Sequence, residues 1–147
     1  MENTTIVIGT NRPESITSQI AFKLDPDTAY LFTGEPPKTN SFTNFQENII
    51  WIIPTYHGTL SGYSKMVLDS LTDETLAGFL NKKHFIVSSS PSNVGMKDFA
   101  KTLHYAIKYQ YKDIDPIMDI IQIGMPEGSQ YGVVEDSYIE FIKSYIK

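Results

Sequence analysis

The run Ile49-Ile50-Trp51-Ile52-Ile53 constrains the fold of this chain more than any other feature. It offers no polar position to water, so a strand built from it is covered on both faces. Strands of that kind belong to parallel sheets, and parallel neighbours are joined by crossovers, usually helices. The rest of the sequence is therefore read for helices that cover a sheet.

Such helices are legible. Thr5 to Gly9 is a short β-branched run ending in glycine, followed by a polar loop and by Ile16, Ile20 and Leu24 at helical spacing. A second strand is expected at Ala29 to Phe32, after which Gly34, Pro36 and Pro37 break the chain and Asn40 and Ser41 offer a cap for a brief helix. Ser61-Gly62 opens a helix through about Leu71, and Phe85-Ile86-Val87 gives a fourth strand. Met96, Phe99, Ala100, Leu103, Ala106 and Ile107 form a helical stripe. Asp119 to Ile123, then the stripe Tyr138, Phe141, Ile142 and Tyr145, supply the last strand and helix. Strand and helix alternate with no linker or repeat, so residues 1–147 are expected to form one domain. The expected fold is an α/β, flavodoxin-like three-layer sandwich with a five-stranded parallel sheet in the order 2-1-3-4-5.

Composition narrows the function. At 41% hydrophobic and 20% charged residues the chain is ordinary globular material. A net charge of -5, with no basic cluster beyond Lys82-Lys83, argues against a nucleic-acid partner. No apolar run approaches the roughly 20 residues that span a bilayer, and the N-terminal residues do not resemble a basic signal segment, so no membrane partner and a cytoplasmic location are expected. With 0 cysteines there is no thiolate nucleophile or ligand, and redox chemistry needs a borrowed cofactor.

In the order 2-1-3-4-5 the chain winds outward from strands 1 and 3, and the loops after them leave a crevice. The first loop, Gly9 to Thr17, carries Thr10, Arg12, Ser15 and Thr17 where a helix begins and unpaired N–H groups favour an anion. It lacks the Gly-Lys-Ser/Thr of a nucleotide P-loop and the Gly-x-Gly-x-x-Gly of a dinucleotide site, so a single phosphate monoester fits it better. Taken alone, the same residues serve equally well as a helix cap at Ser15 with Arg12 in solvent. The second loop decides between them. Pro54-Thr55-Tyr56-His57-Gly58 through Lys65 brings two glycines and two tyrosines to the same crevice. Its backbone can read the polar edge of a planar ring, Tyr56 offers a stacking face, and Gly58 permits close approach. A phosphate, a polar edge and a flat ring together describe flavin mononucleotide, FMN.

Gly9-Thr10-x-Arg12-x-x-Ser15 with Ala21 resembles the NADPH-dependent FMN reductase pattern Gly-Ser-x-Arg-x-x-Ser. Pro54-Thr55-Tyr56-His57-Gly58, Gly62, Lys65 and Asp69 resemble its Pro-Glu-Tyr-Asn…Gly…Lys-Asn…Asp. The likeness extends through Leu76-Ala77-Gly78, Lys83 and Ser88-Ser89-Ser90…Gly95, covering roughly residues 5–109. It implies that the first loop, with Thr10, Arg12, Ser15, Ile16 and Thr17, holds the FMN phosphate. Pro54, Thr55, Tyr56, His57 and Gly58, with Ser89, Ser90 and Gly95, would then hold the ring. It further implies NAD(P)H as co-substrate, a small-molecule electron acceptor and a homodimer. The chain departs from the pattern at Glu14, where the family has a small residue, at Thr55 for Glu, at His57 for Asn, and at Ser90-Pro91-Ser92 for a glycine-rich turn.

Other chemistries have less support. His57, His84 and His104 have no ligand spacing and read as loop or surface residues, so no metal is assigned. No Gly-x-Ser-x-Gly elbow accompanies Ser88 to Ser92. Lys65 and Asp69 read as an i,i+4 ion pair, Tyr138 and Tyr145 as core, and Tyr56 and Tyr63 as the tyrosines available to a site. The expected activity is transfer of hydride from NAD(P)H to FMN and on to an acceptor, with no catalytic side chain because the flavin carries the chemistry. A non-catalytic FMN carrier or sensor is the alternative.

Overall fold

The structure is a computed structural model that describes residues 3–9, 15–24, 28–30, 45–79, 82–110 and 119–146. Thr10, Arg12 and Glu14 of the first loop, and the short helix expected near Asn40, lie outside the described residues.

The elements follow the chain as β1 (Thr4–Ile8), α1 (Ile16–Leu24), β2 (Thr28–Tyr30), β3 (Asn48–Ile53), β4 (Thr55–Tyr56), β5 (Thr59–Leu60), α2 (Gly62–Asp69), α3 (Asp73–Ala77), β6 (Lys83–Ser88), α4 (Val94–Gln110), β7 (Asp119–Ile123) and α5 (Asp136–Tyr145). The main sheet runs β2-β1-β3-β6-β7 with every pairing parallel, and β4-β5 is a separate antiparallel hairpin. This α/β arrangement is compatible with a flavodoxin-like fold.

The apolar run at β3 divides between two cores. Ile49, Trp51 and Ile53 face one side with Val7, Ile86 and residues of α2, α3 and α4, while Ile50 and Ile52 face the other with Ile6, Ile8, Phe85, α1 and α5. Alternate side chains leave a strand on opposite faces, so two covered faces demand apolar residues at every position. Each fully buried Ile of this kind contributes about 1.5–3 kcal/mol relative to exposure. All strands of the sheet point the same way, and the turns after β1, β3, β6 and β7 therefore emerge at a single edge.

Three details correct the sequence reading. Helix α2 stops at Asp69, where the Ser70 hydroxyl donates to the Val67 carbonyl. On α5 only Tyr138, Ile139 and Ile142 are buried, whereas Phe141 and Tyr145 are exposed and pack edge to face on the surface. Tyr138, Ile139 and Ile142 pack into the core with α1 and the sheet, and Phe141 and Tyr145 lie outside that packed face. His84 is neither in a loop nor at the surface: it is fully buried in β6 beside Trp51 and Phe79.

Candidate functional site

Hydroxyl groups stitch the segments at the sheet's carboxyl edge to one another. At the start of α1, Ser15 Oγ accepts the Ser18 N–H at 3.2 Å and caps the helix. The N–H groups of Ile16 and Thr17 are left without intrahelical partners by the geometry of any helix start. No acidic residue occupies that first turn. Two residues on, the buried Thr17 hydroxyl meets Ser89 Oγ at 2.7 Å, tying α1 to the segment after β6.

The end of β1 is held just as closely. Ser61 caps α2 by accepting the Ser64 N–H at 3.1 Å, and Ser64 Oγ donates to the Gly9 carbonyl at 3.1 Å. Gly9 is needed here, because a Cβ would stand 2.8 Å from Ser64 Oγ and 3.0 Å from the Ile52 carbonyl. Ser61 is the helix start expected from the sequence, whereas Ser64 was not singled out, because its bond to Gly9 joins residues far apart in the chain.

Thr55 is the hub of the second connection. Its N–H donates to Ser90 Oγ at 3.0 Å, its hydroxyl donates to the Ser92 carbonyl at 2.8 Å, and the same hydroxyl accepts the Gly95 N–H at 2.9 Å. The first turn of α4 is thus capped by a residue from another strand, while Asn93, in the capping position, turns its Oδ1 to the Met125 N–H. Pro54 lies so close to Gly95 that a Cβ there would collide with its carbonyl oxygen. A short hydroxyl at position 55 fits between Ser92 and Gly95 and satisfies both.

From Thr55 the chain turns at once into the β4-β5 hairpin, with Tyr56 opposite Thr59. His57 and Gly58 form its two-residue turn with φ of +52° and +73°, the positive pair that a type I′ turn requires. Tyr56 is half-buried, whereas His57 and Gly58 are exposed, and nothing stands within 4 Å of where a Gly58 Cβ would be. The hairpin therefore presents open backbone at the edge where Thr17, Ser89 and Ser90 meet.

The structure thus brings Ser15, Ile16, Thr17, Pro54, Thr55, Ser89, Ser90 and Gly95 into one bonded frame, with Tyr56, His57 and Gly58 on the hairpin beside it. The hydroxyls of Thr17, Thr55, Ser89 and Ser90 are engaged within the protein, so their work is to hold the segments in place. Tyr63, on α2, is buried in the core cluster with residues of β3 and α4, so its ring is not open to solvent as a stacking surface. Lys65 and Asp69 form an exposed i,i+4 pair at 2.7 Å.

The histidines separate by environment. His57 and His104 are exposed. His84 Nδ1 accepts the Trp51 indole N–H at 3.2 Å, which leaves Nε2 to donate to the Phe79 carbonyl at 3.2 Å. Burial pushes the His84 pKa from 6.5 down to about 4, the Phe79 bond opposing it more weakly. Among the described residues no group of three or more His, Cys, Asp or Glu side chains is placed to hold a metal ion. No described helix is long and apolar enough to cross a membrane.

No protein-family model and no curated protein matches the sequence. By structure, 15 solved chains match it. They include the apo crystal structure of an NADH:FMN oxidoreductase, EmoB, at a TM-score of 0.52 and 14% identity over 98% of this chain and 89% of that one. The likeness is one of fold. At that identity it places the α/β architecture over nearly the full length of both chains, and the chemistry must be argued from the residues.

Proposed function

We propose that this chain is an FMN-binding oxidoreductase of flavodoxin-like fold that passes hydride from NADH or NADPH to FMN and on to a small acceptor. The observation that carries the reading is the frame in which Thr17 meets Ser89 and Thr55 meets Ser90, because it ties the start of α1 to the segments after β3 and β6 at one edge of the sheet.

The donor set suits the cofactor. The amides of Ile16 and Thr17 emerge from an α1 start with no acidic first-turn residue, which favours a phosphate monoester. Arg12 and Thr10 of the first loop are proposed to complete that phosphate site. At the hairpin, open space over Gly58 lets a planar ring approach the backbone, and Tyr56 is proposed to bound its edge. When bound, FMN supplies the hydride chemistry itself. The protein's own residues bind and orient: Ser15 fixes the helix start, Thr55 fixes the hairpin against α4, and no side chain is asked to act as acid or base. The same reading proposes a homodimer in the cytoplasm, with light scattering as the test of assembly.

Anaerobic mixing of the FMN-loaded protein with excess NADPH, and separately NADH, tests the activity. Bleaching of the oxidised flavin within seconds is expected. Tight FMN binding without bleaching by either nucleotide over an hour, while dithionite bleaches it, would replace the enzyme by a carrier or sensor.

A further inference from the structure

Strand β7 ends the sheet on one side, and its outer edge is open. Among the described residues it pairs with β6 alone, and no other bond reaches its backbone except that of the Tyr138 hydroxyl to the Ile123 carbonyl at 3.3 Å. The helices that bury every residue of β3 stop short of β7. Ile120 packs against one core and Ile121 against the other, yet both stay half-buried, and Gln122 is exposed. An edge of this kind invites another strand, and sheets discourage that with lysine, proline or a bulge. Asp119-Ile120-Ile121-Gln122-Ile123 contains neither lysine nor proline, and its register with β6 runs without a bulge. Its one charge, on Asp119, stands in register beside Lys83 of β6.

Helix α5 extends the apolar border. Asp136 faces α1, where it accepts a bond from Lys23 Nζ at 3.1 Å. At 3.6 residues per turn, Phe141 and Tyr145 lie about 140° and about 180° around the helix from Asp136, on the flank turned away from α1. Helix α1 joins β1 to β2 at the far end of the sheet, so that flank is turned toward β7. There the two rings stay 42% and 45% exposed and meet edge to face at 5.2 Å. An unbonded strand edge, two half-covered isoleucines and two exposed rings therefore lie on one side of the molecule.

We propose that this side is where two copies of the chain meet, β7 pairing antiparallel with β7 of a second copy about a two-fold axis so that two sheets become one. A strand edge is completed by a strand, and this edge is complementary to itself. Centred on Ile121, the pairing sets Ile121 opposite Ile121 of the second copy, Ile120 opposite Gln122 and Asp119 opposite Ile123, so no charge meets a like charge. An axis normal to the sheet keeps each face on its own side, which brings Phe141 and Tyr145 of both copies together across one face. The carboxyl edge of each copy stays open, and the proposal gives the homodimer its surface whether or not FMN binds.

With 0 cysteines in the chain, a single introduced one reports the interface. Opposed residues of an antiparallel pair have Cα atoms about 4.5–5.5 Å apart, within the range of a disulfide. Ile121→Cys is therefore expected to give a covalent dimer on a denaturing gel after mild oxidation, whereas Gln19→Cys, exposed on α1, stays monomeric. By analytical ultracentrifugation the wild type is expected to be a dimer, and Tyr145→Lys to raise the dissociation constant about tenfold by setting charges into an apolar contact. Because Tyr145 lies outside the core, FMN affinity and Trp51 fluorescence stay unchanged in that variant, and it decides alone if Ile121→Cys fails to fold. A wild type that remains monomeric at every concentration leaves the edge to a strand from another protein and overturns the proposal. A dimer that Tyr145→Lys does not weaken and Ile121→Cys does not cross-link uses another face and also overturns it. Dimerisation of a protein that binds no FMN refutes the flavin reading and leaves this interface standing.

Discussion

Acidification should destabilise this protein in part through His84. Both ring nitrogens are engaged, by the Trp51 N–H and the Phe79 carbonyl, and only the neutral ring can accept from tryptophan. The unfolded chain takes up the proton near pH 6.5, the folded one only near 4. Between those values the unfolded state holds more protons, so this contribution is intact above about pH 6.5 and is lost as pH falls toward 4. At about 1.4 kcal/mol per pH unit, the loss is about 2 kcal/mol by pH 5 and about 3 kcal/mol by pH 4. That should lower a urea midpoint by roughly 1–2 M. Trp51, fully buried and the single tryptophan, reports unfolding by its fluorescence. Carboxylates titrate in the same range, so the comparison is with His84→Gln, which keeps a donor and an acceptor but does not titrate. The wild type should lose about 2–3 kcal/mol more than the variant between pH 7 and 4. Equal losses in the two proteins would refute the account of His84.

Two further perturbations address the frame. Gly95→Ala drives a Cβ into the Pro54 carbonyl, a backbone atom that cannot swing aside, and should cost roughly 1–3 kcal/mol in denaturation while weakening FMN in a fluorescence titration. Unchanged stability would mean that α4 shifts freely against β3. Thr17→Val and Ser89→Ala remove the two halves of one buried hydrogen bond, so their effects on stability should be non-additive by about 1 kcal/mol in a double-mutant cycle. Simple additivity would remove Thr17–Ser89 as the link between α1 and the segment after β6.

Much of the fold was legible because burial on both faces leaves a plain signature. The run at Ile49 to Ile53 marked the centre of the sheet, and the strands at Thr4–Ile8 and Asp119–Ile123 fall within a residue of their sequence limits. Much of what stayed hidden had one physical cause: partners distant in sequence. His84 reads as a polar residue until Trp51 and the Phe79 carbonyl are placed against it. Thr17 and Ser89 lie 72 positions apart, and neither carries a local hint of the other. The same is true of Thr55, whose hydroxyl caps a helix beginning at Val94. Phe141 and Tyr145 misled in the other direction, since helical periodicity reports an apolar stripe but not the width of the surface that receives it. The hairpin after Pro54 was hidden because its turn is His57-Gly58, where asparagine or aspartate more often precedes the glycine.

The central claim is that one crevice at the carboxyl edge of the sheet holds both the phosphate and the ring of FMN. Titration of the purified protein with FMN and with riboflavin, followed by flavin fluorescence, tests it most directly. The account predicts near-equimolar FMN binding and riboflavin binding weaker by roughly ten- to a hundredfold, the loss of about 1.5–3 kcal/mol of charge-assisted hydrogen bonding at the start of α1. Equal affinity for the two would contradict the phosphate site, and no binding of either would contradict the claim itself.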